Sequence, residues 1–165
     1  MFTRTAKIIA SILFVLAIVA SWQAHAEAYS PAESKVIAGH GEKAVTLAQC
    51  LAWGRYAGKD ADVLKPLADG FLNESRAFIE AVQTKELDKK VANNSVPIIW
   101  MMILNDWNPT TDFAIGKLWQ TLDQSAYDKL QEPVKDIPYT ERKELIKNGA
   151  TQSFDDANCK YFVGS

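Results

Sequence analysis

The chain has 165 residues, with 18 Lys and Arg set against 20 Asp and Glu, two histidines and two cysteines. That balance argues against a nucleic-acid partner, which needs clustered basic residues on the phosphate backbone, and against adhesion to anionic lipid.

Residues 1–26 read as a secretory signal peptide cleaved after Ala26. Arg4 and Lys7 supply a positive start, residues 8–20 are apolar or small throughout, and Ala24-His25-Ala26 offers small residues to a peptidase. The apolar run is about 13 residues, short of the roughly 20 that cross a bilayer. No cysteine follows the cleavage point, which argues against a lipid anchor. Removing Arg4 and Lys7 leaves 16 basic residues against 20 acidic ones, a formal charge of −4 for residues 27–165. A chain of that length suits one domain with no membrane span in its mature part. Export to the periplasm is expected, with the external medium as the alternative.

The mature chain reads as helical, because apolar residues recur at three and four. Ser30-Pro31-Ala32-Glu33 is a helix start: Ser30 can cap, Pro31 suits the first position and Glu33 completes a capping box. Gly39-His40-Gly41 predicts a break, since two glycines are costly inside a helix. Ala44, Leu47, Ala48, Leu51 and Ala52 resume one stripe, ending near Ala57-Gly58. Leu64, Leu67, Phe71, Ser75, Phe78, Ile79 and Val82 then predict a long amphipathic helix over 62–82, capped by Asp60 or Asp62.

Residues 84–91 suggest a short charged helix, and Asn93-Asn94-Ser95 a loop. The run Ile98-Ile99-Trp100-Met101-Met102-Ile103-Leu104 is apolar all the way round and predicts a buried central helix over 97–107. Asn108-Pro109-Thr110-Thr111 ends it and caps the next, marked by Phe113, Ile115, Leu118, Trp119 and Leu122. Asp123 or Ser125 offers a fresh cap for a turn through Leu130. After Pro133 and Pro138, residues 140–147 form a short helix that Asn148-Gly149 should stop.

Cys50 and Cys159 are the only cysteines, and in an oxidising compartment they are expected to pair. The bridge would join an early helix to the tail and close a loop of about 110 residues, worth up to about 4–5 kcal/mol. A catalytic thiol would want a histidine base, and His40 is the only one after the leader. One histidine excludes most hydrolytic triads and zinc sites, so no catalytic residue, metal or cofactor is expected. His40 itself reads as a surface turn residue.

The carboxylate sets Asp60/Asp62, Asp155/Asp156 and Asp106 with Asp112 are the remaining route to catalysis, although capping explains Asp60, Asp62 and Asp112. Asn105-Asp106-Trp107-Asn108 follows the apolar helix and is a candidate cleft rim, with Trp107 as anchor and Asp106 beside it. Trp53 and Arg55, in Trp53-Gly54-Arg55-Tyr56, are the second candidate, since Arg55 can recognise a carboxylate or stack on a ring. Residues 85–90 read as a solvated mixed-charge run.

In outline the chain resembles the small helical, disulfide-bearing periplasmic proteins of Gram-negative bacteria, a group that includes immunity proteins against cell-wall-cleaving effectors. Leu47-Ala48-Gln49-Cys50-Leu51-Ala52 carries the likeness, and it implies no residue roles. The expectation is an all-α single domain of about five or six helices stapled by Cys50–Cys159. Its expected function is non-enzymatic: binding another protein in the envelope or outside the cell, as an inhibitor or immunity-type protein does. The alternatives are a carboxylate-dependent enzyme acting on an envelope glycan, a chaperone, or a small-molecule binder with a pocket lined by Trp100, Trp107 or Trp119.

Overall fold

The computed structural model describes residues 28–104 and 109–163. The expected signal peptide, and the candidate residues Asp106 and Trp107, lie outside the described residues. Among those described there are six α-helices and no strand: α1 (Pro31–Tyr56), α2 (Ala61–Thr84), α3 (Lys89–Ser95), α4 (Ile98–Leu104), α5 (Thr111–Gln131) and α6 (Tyr139–Asp156). Short 3-10 turns occupy Glu132–Val134 and Cys159–Phe162.

The capping box opens α1 as expected. The Glu33 amide donates to the Ser30 hydroxyl, and the Ser30 amide donates to the Glu33 carboxylate at 2.9 Å. The predicted break at Gly39-His40-Gly41 is absent, and α1 is one helix of 26 residues. Two glycines cost a helix roughly 2 kcal/mol. Packing on Gly41 offsets that cost. A side chain there would meet the Phe78 ring at 2.9 Å, and the Gly41 carbonyl accepts the Trp100 indole N–H at 2.9 Å. The helix ends where expected, with Gly58 in the left-handed region at φ 71°.

The stripe of α2 buries Leu67, Phe71, Ser75, Phe78 and Ile79, while Lys65, Asp69, Asn73, Arg76 and Glu80 face water. It lies along α1, and α5 packs against both. Their joint core holds Leu47 and Ala48 from α1, Phe71, Phe78 and Ile79 from α2, and Ile115, Leu118 and Leu122 from α5. Phe78 and Trp100 stack with ring centres 4.9 Å apart.

The expectation that 97–107 forms a buried central helix needs correction. Helix α4 has seven residues, and only Trp100 and Ile103 are buried. Two turns of helix can turn one i, i+3 pair inward. Ile99 and Leu104 pack partly against the core while Ile98 and Met102 face water, and α1, α2 and α5 supply most of the core.

Three further boundaries differ from the sequence reading. Asn93-Asn94-Ser95 ends α3 instead of forming a loop; Asp88 caps that helix by accepting the Val91 amide at 3.1 Å. Helix α5 starts at the Thr110 cap and runs through Asp123 and Ser125 without a restart. Helix α6 continues through Asn148-Gly149, because Ala150 and Phe154 beyond it are buried. Burial outweighs the local stop signal there.

The tail behaves as expected. Cys50 and Cys159 are paired, with Cα atoms 5.4 Å apart and both residues fully buried. The bridge fixes the last 3-10 turn against α1.

Candidate functional site

A cleft of about 620 Å³ opens between the end of α2, the α2–α3 connection, α3 and α4. Phe78 and Trp100, themselves buried, form its floor. Val82, Leu87, Ala92, Val96, Met101 and Leu104 form apolar walls. The volume falls within the roughly 300–1,000 Å³ common for small-molecule sites.

The start of the chain holds this connection in place. The Tyr29 amide donates to the Glu86 carbonyl at 2.9 Å, and the Tyr29 hydroxyl donates to the Ala81 carbonyl at 3.2 Å. The fully buried Ser34 hydroxyl accepts the Asp88 amide at 2.9 Å. These bonds turn the chain out of α2 at Lys85, whose backbone is extended, and set the start of α3. Lys85, Glu86 and Lys89 therefore line one end of the cleft. Sequence reading gave this run only a solvated role. The signal that locates it is Ser34, a buried polar residue in the first turn of α1.

Beside the cleft, α4 presents apolar side chains to water. Ile98 is 76 % exposed, Met102 73 % and Met101 43 %. Exposed apolar groups that cluster mark contact surfaces, and methionine adapts to varied partners. The candidate residues Asp106 and Trp107 follow Leu104, a wall residue, by two and three positions in sequence.

The second candidate pair separates. Trp53 is half-buried and packs between the main core and a smaller cluster of Ala57, Leu130 and Ala150. Arg55 is half-exposed, and one guanidinium nitrogen donates to both Asp123 oxygens at 2.6 Å. It also lies over the Tyr56 ring at 4.8 Å and the Trp119 ring at 5.7 Å. Tyr127 packs on Tyr56 with ring centres 5.7 Å apart. Both chemistries expected of Arg55 are present, but within the chain. Burial, reinforced by the Asp123 charge and partly offset by Arg55, pushes the Tyr56 hydroxyl above its ordinary range.

His40 is also placed differently from expectation. It sits within α1, and its Nδ1 lies 2.5 Å from the Glu74 carboxylate of α2. Lys43 reaches the other Glu74 oxygen at 2.7 Å. Partial burial raises the Glu74 pKa, but hydrogen bonds and charge from His40 and Lys43 outweigh it and hold the carboxyl below its ordinary range. The cluster ties α1 to α2.

The carboxylate candidates are scattered. Asp60 stands at the α2 N-cap without a side-chain capping bond, and Asp62 lies in that first turn. Asp112 opens α5 and pairs with Arg76 at 3.8 Å. Asp155 and Asp156 are exposed at the end of α6. None of these lines the cleft, whose one described carboxylate is Glu86. Among the described residues no group of three or more His, Cys, Asp or Glu is placed to hold a metal, and no helix is long and apolar enough to cross a membrane. Comparison with protein-family models, curated proteins and solved structures finds no match for this chain.

Proposed function

We propose that this protein is exported to the periplasm and acts without catalysis, by binding another protein of the cell envelope in the manner of an inhibitor or immunity-type protein. The observation that carries the reading is the outer face of α4, where Ile98, Met101 and Met102 stand in water beside a cleft. Leaving those side chains exposed has a cost that a partner's surface would remove; full burial of each is worth about 1.5–3 kcal/mol. A disulfide in a chain with a leader-like start accords with an oxidising compartment.

A pull-down with tagged protein tests it, using envelope proteins from its own source and mass spectrometry. The expected result is one stoichiometric partner that the Ile98→Asp/Met102→Asp variant loses while keeping its helical circular dichroism. Equal retention by both forms would sink the reading. Export is checked separately by N-terminal sequencing of the envelope-fraction protein, which should begin at Glu27.

A second reading, small-molecule binding, is favoured by the cleft itself. Trp100, one of the residues expected to line such a pocket, forms its floor.

A further inference from the structure

We propose that the cleft between α2, α3 and α4 is a site for a single-chain fatty-acid carboxylate. This rests on the small-molecule reading of the cleft, which shares Met101 with the exposed face of α4 but not Ile98 or Met102.

The cleft carries charge at one end only. Lys85, Glu86 and Lys89 come from the α2–α3 connection and the start of α3, within five consecutive residues. Val82 and Phe78 lie one and two turns back along α2, so the lining changes from charged to apolar over about 10 Å. On the other side Val96, Met101 and Leu104 continue the apolar wall. A ligand matching this surface carries its charge at one end and hydrocarbon along the rest.

The apolar part offers little to a polar ligand. Beyond the charged run two lining residues carry a side-chain N–H: Asn93, exposed on α3, and Trp100, whose N–H is already bonded to the Gly41 carbonyl. Sugars or extended peptide backbone would lose several hydrogen bonds to water on entry, and Asn93 alone could replace only a few of them. A methylene chain loses none and gains about 0.8 kcal/mol for each CH₂ fully buried.

The sign of the charged end favours an anion. Lys85 and Lys89 form no ion pair among the described residues, and each outreaches a backbone held rigid by Tyr29 and Ser34. The Lys85 ammonium lies 5.6 Å from the centre of the Tyr29 ring and acts on the Glu33 charge at longer range. Glu86 is the single acid in the lining, so two cations stand against one anion in a chain that is acidic as a whole. A carboxylate at this end of the cleft has the complementary charge.

Isothermal titration of the purified protein tests this, with laurate below its micelle-forming concentration. Dodecanol and dodecyltrimethylammonium, of equal chain length, serve as headgroup controls, and phosphatidylglycerol vesicles test a membrane lipid as the source of the anion. The expected result is laurate binding at least tenfold tighter than dodecanol, with the cationic probe weaker again and no association with vesicles. Lys85→Ala/Lys89→Ala should weaken laurate at least tenfold and leave dodecanol unchanged. Ala92→Trp, which fills the cleft from its wall, should abolish binding of every probe. Dodecanol binding as tightly as laurate would overturn the fatty-acid assignment while leaving a small-molecule site. Absence of binding by every probe would overturn both, and vesicle binding that displaces laurate would reassign the cleft to membrane lipid.

Discussion

Gly41→Ala is the substitution on which the packing argument is most exposed. A methyl group at position 41 would lie 2.9 Å, 3.0 Å and 3.2 Å from three carbons of the Phe78 ring. The ring has little room to retreat: Phe78 is fully buried and stacks on Trp100, whose indole is hydrogen-bonded to the Gly41 carbonyl. Overpacking of this kind costs about 1–3 kcal/mol. Alanine returns about 0.5–1 kcal/mol of helix propensity, so the net loss is roughly 0–2.5 kcal/mol, centred on about 1 kcal/mol. Gly39 is the matched control, two positions earlier in the same helix, with no atom within 4 Å of an added Cβ. Gly39→Ala should therefore gain about 0.5–1 kcal/mol. Urea unfolding followed by circular dichroism measures both, read as midpoint shifts at constant slope. The prediction is shifts of opposite sign. Equal upward shifts for the two alanines would refute the account of why α1 tolerates this motif.

Three other outcomes follow from the same structure. Reducing the Cys50–Cys159 bridge, which spans 109 positions, should lower stability by about 2–5 kcal/mol, measured by urea unfolding with and without reductant after equilibration in denaturant. Ser75→Ala should raise stability by about 1 kcal/mol, since the buried Ser75 hydroxyl has no hydrogen-bond partner among the described residues; a loss in thermal midpoint would contradict this. Glu74 has a folded pKa below its ordinary 4.5, so its stabilising contribution is present above that value and is lost as pH falls through the folded pKa. Glu74→Gln should thus be less stable than the parent at neutral pH, with a gap that narrows on acidification; a gap constant with pH would count against the depressed carboxyl.

Much of the helical frame is legible in the sequence, because it depends on local chemistry and a strong period. Ser30 and Glu33 identify the first cap, the 3–4 spacing from Leu64 to Val82 marks α2, and Thr110 marks the start of α5. Two of the failures share a cause. At Gly39-His40-Gly41 and at Asn148-Gly149 the local breaker signals are real, but Phe78 and Trp100 in one case, and Ala150 and Phe154 in the other, hold the helix by tertiary contact. The apolar run 98–104 misleads for a different reason: its composition suggests complete burial, whereas Trp100 and Ile103 are buried, Ile99 and Leu104 pack partly on the core, and Ile98 and Met102 face water. Such a conflict between composition and exposure is expected at contact surfaces.

The candidate site was legible only in part. Arg55 has the aromatic and carboxylate partners its chemistry suggested, but they belong to its own chain, and the acid is Asp123, 68 positions away. No local pattern encodes that pairing. The cleft depends on Ser34 and Tyr29 meeting the α2–α3 connection more than 50 positions later, which periodicity does not reveal. His40 likewise meets Glu74 across two helices.

Site-specific photocrosslinking from α4 tests the proposed function most directly. A photoreactive residue at position 102, in cells of the native source, reports what touches the exposed face, and one at position 143 on the outer side of α6 is the control. The account predicts a single adduct of defined mass from position 102, absent from position 143 and lost when Ile98→Asp is added. No adduct from position 102, or the same adducts from both positions, would contradict the view that this face binds a protein partner.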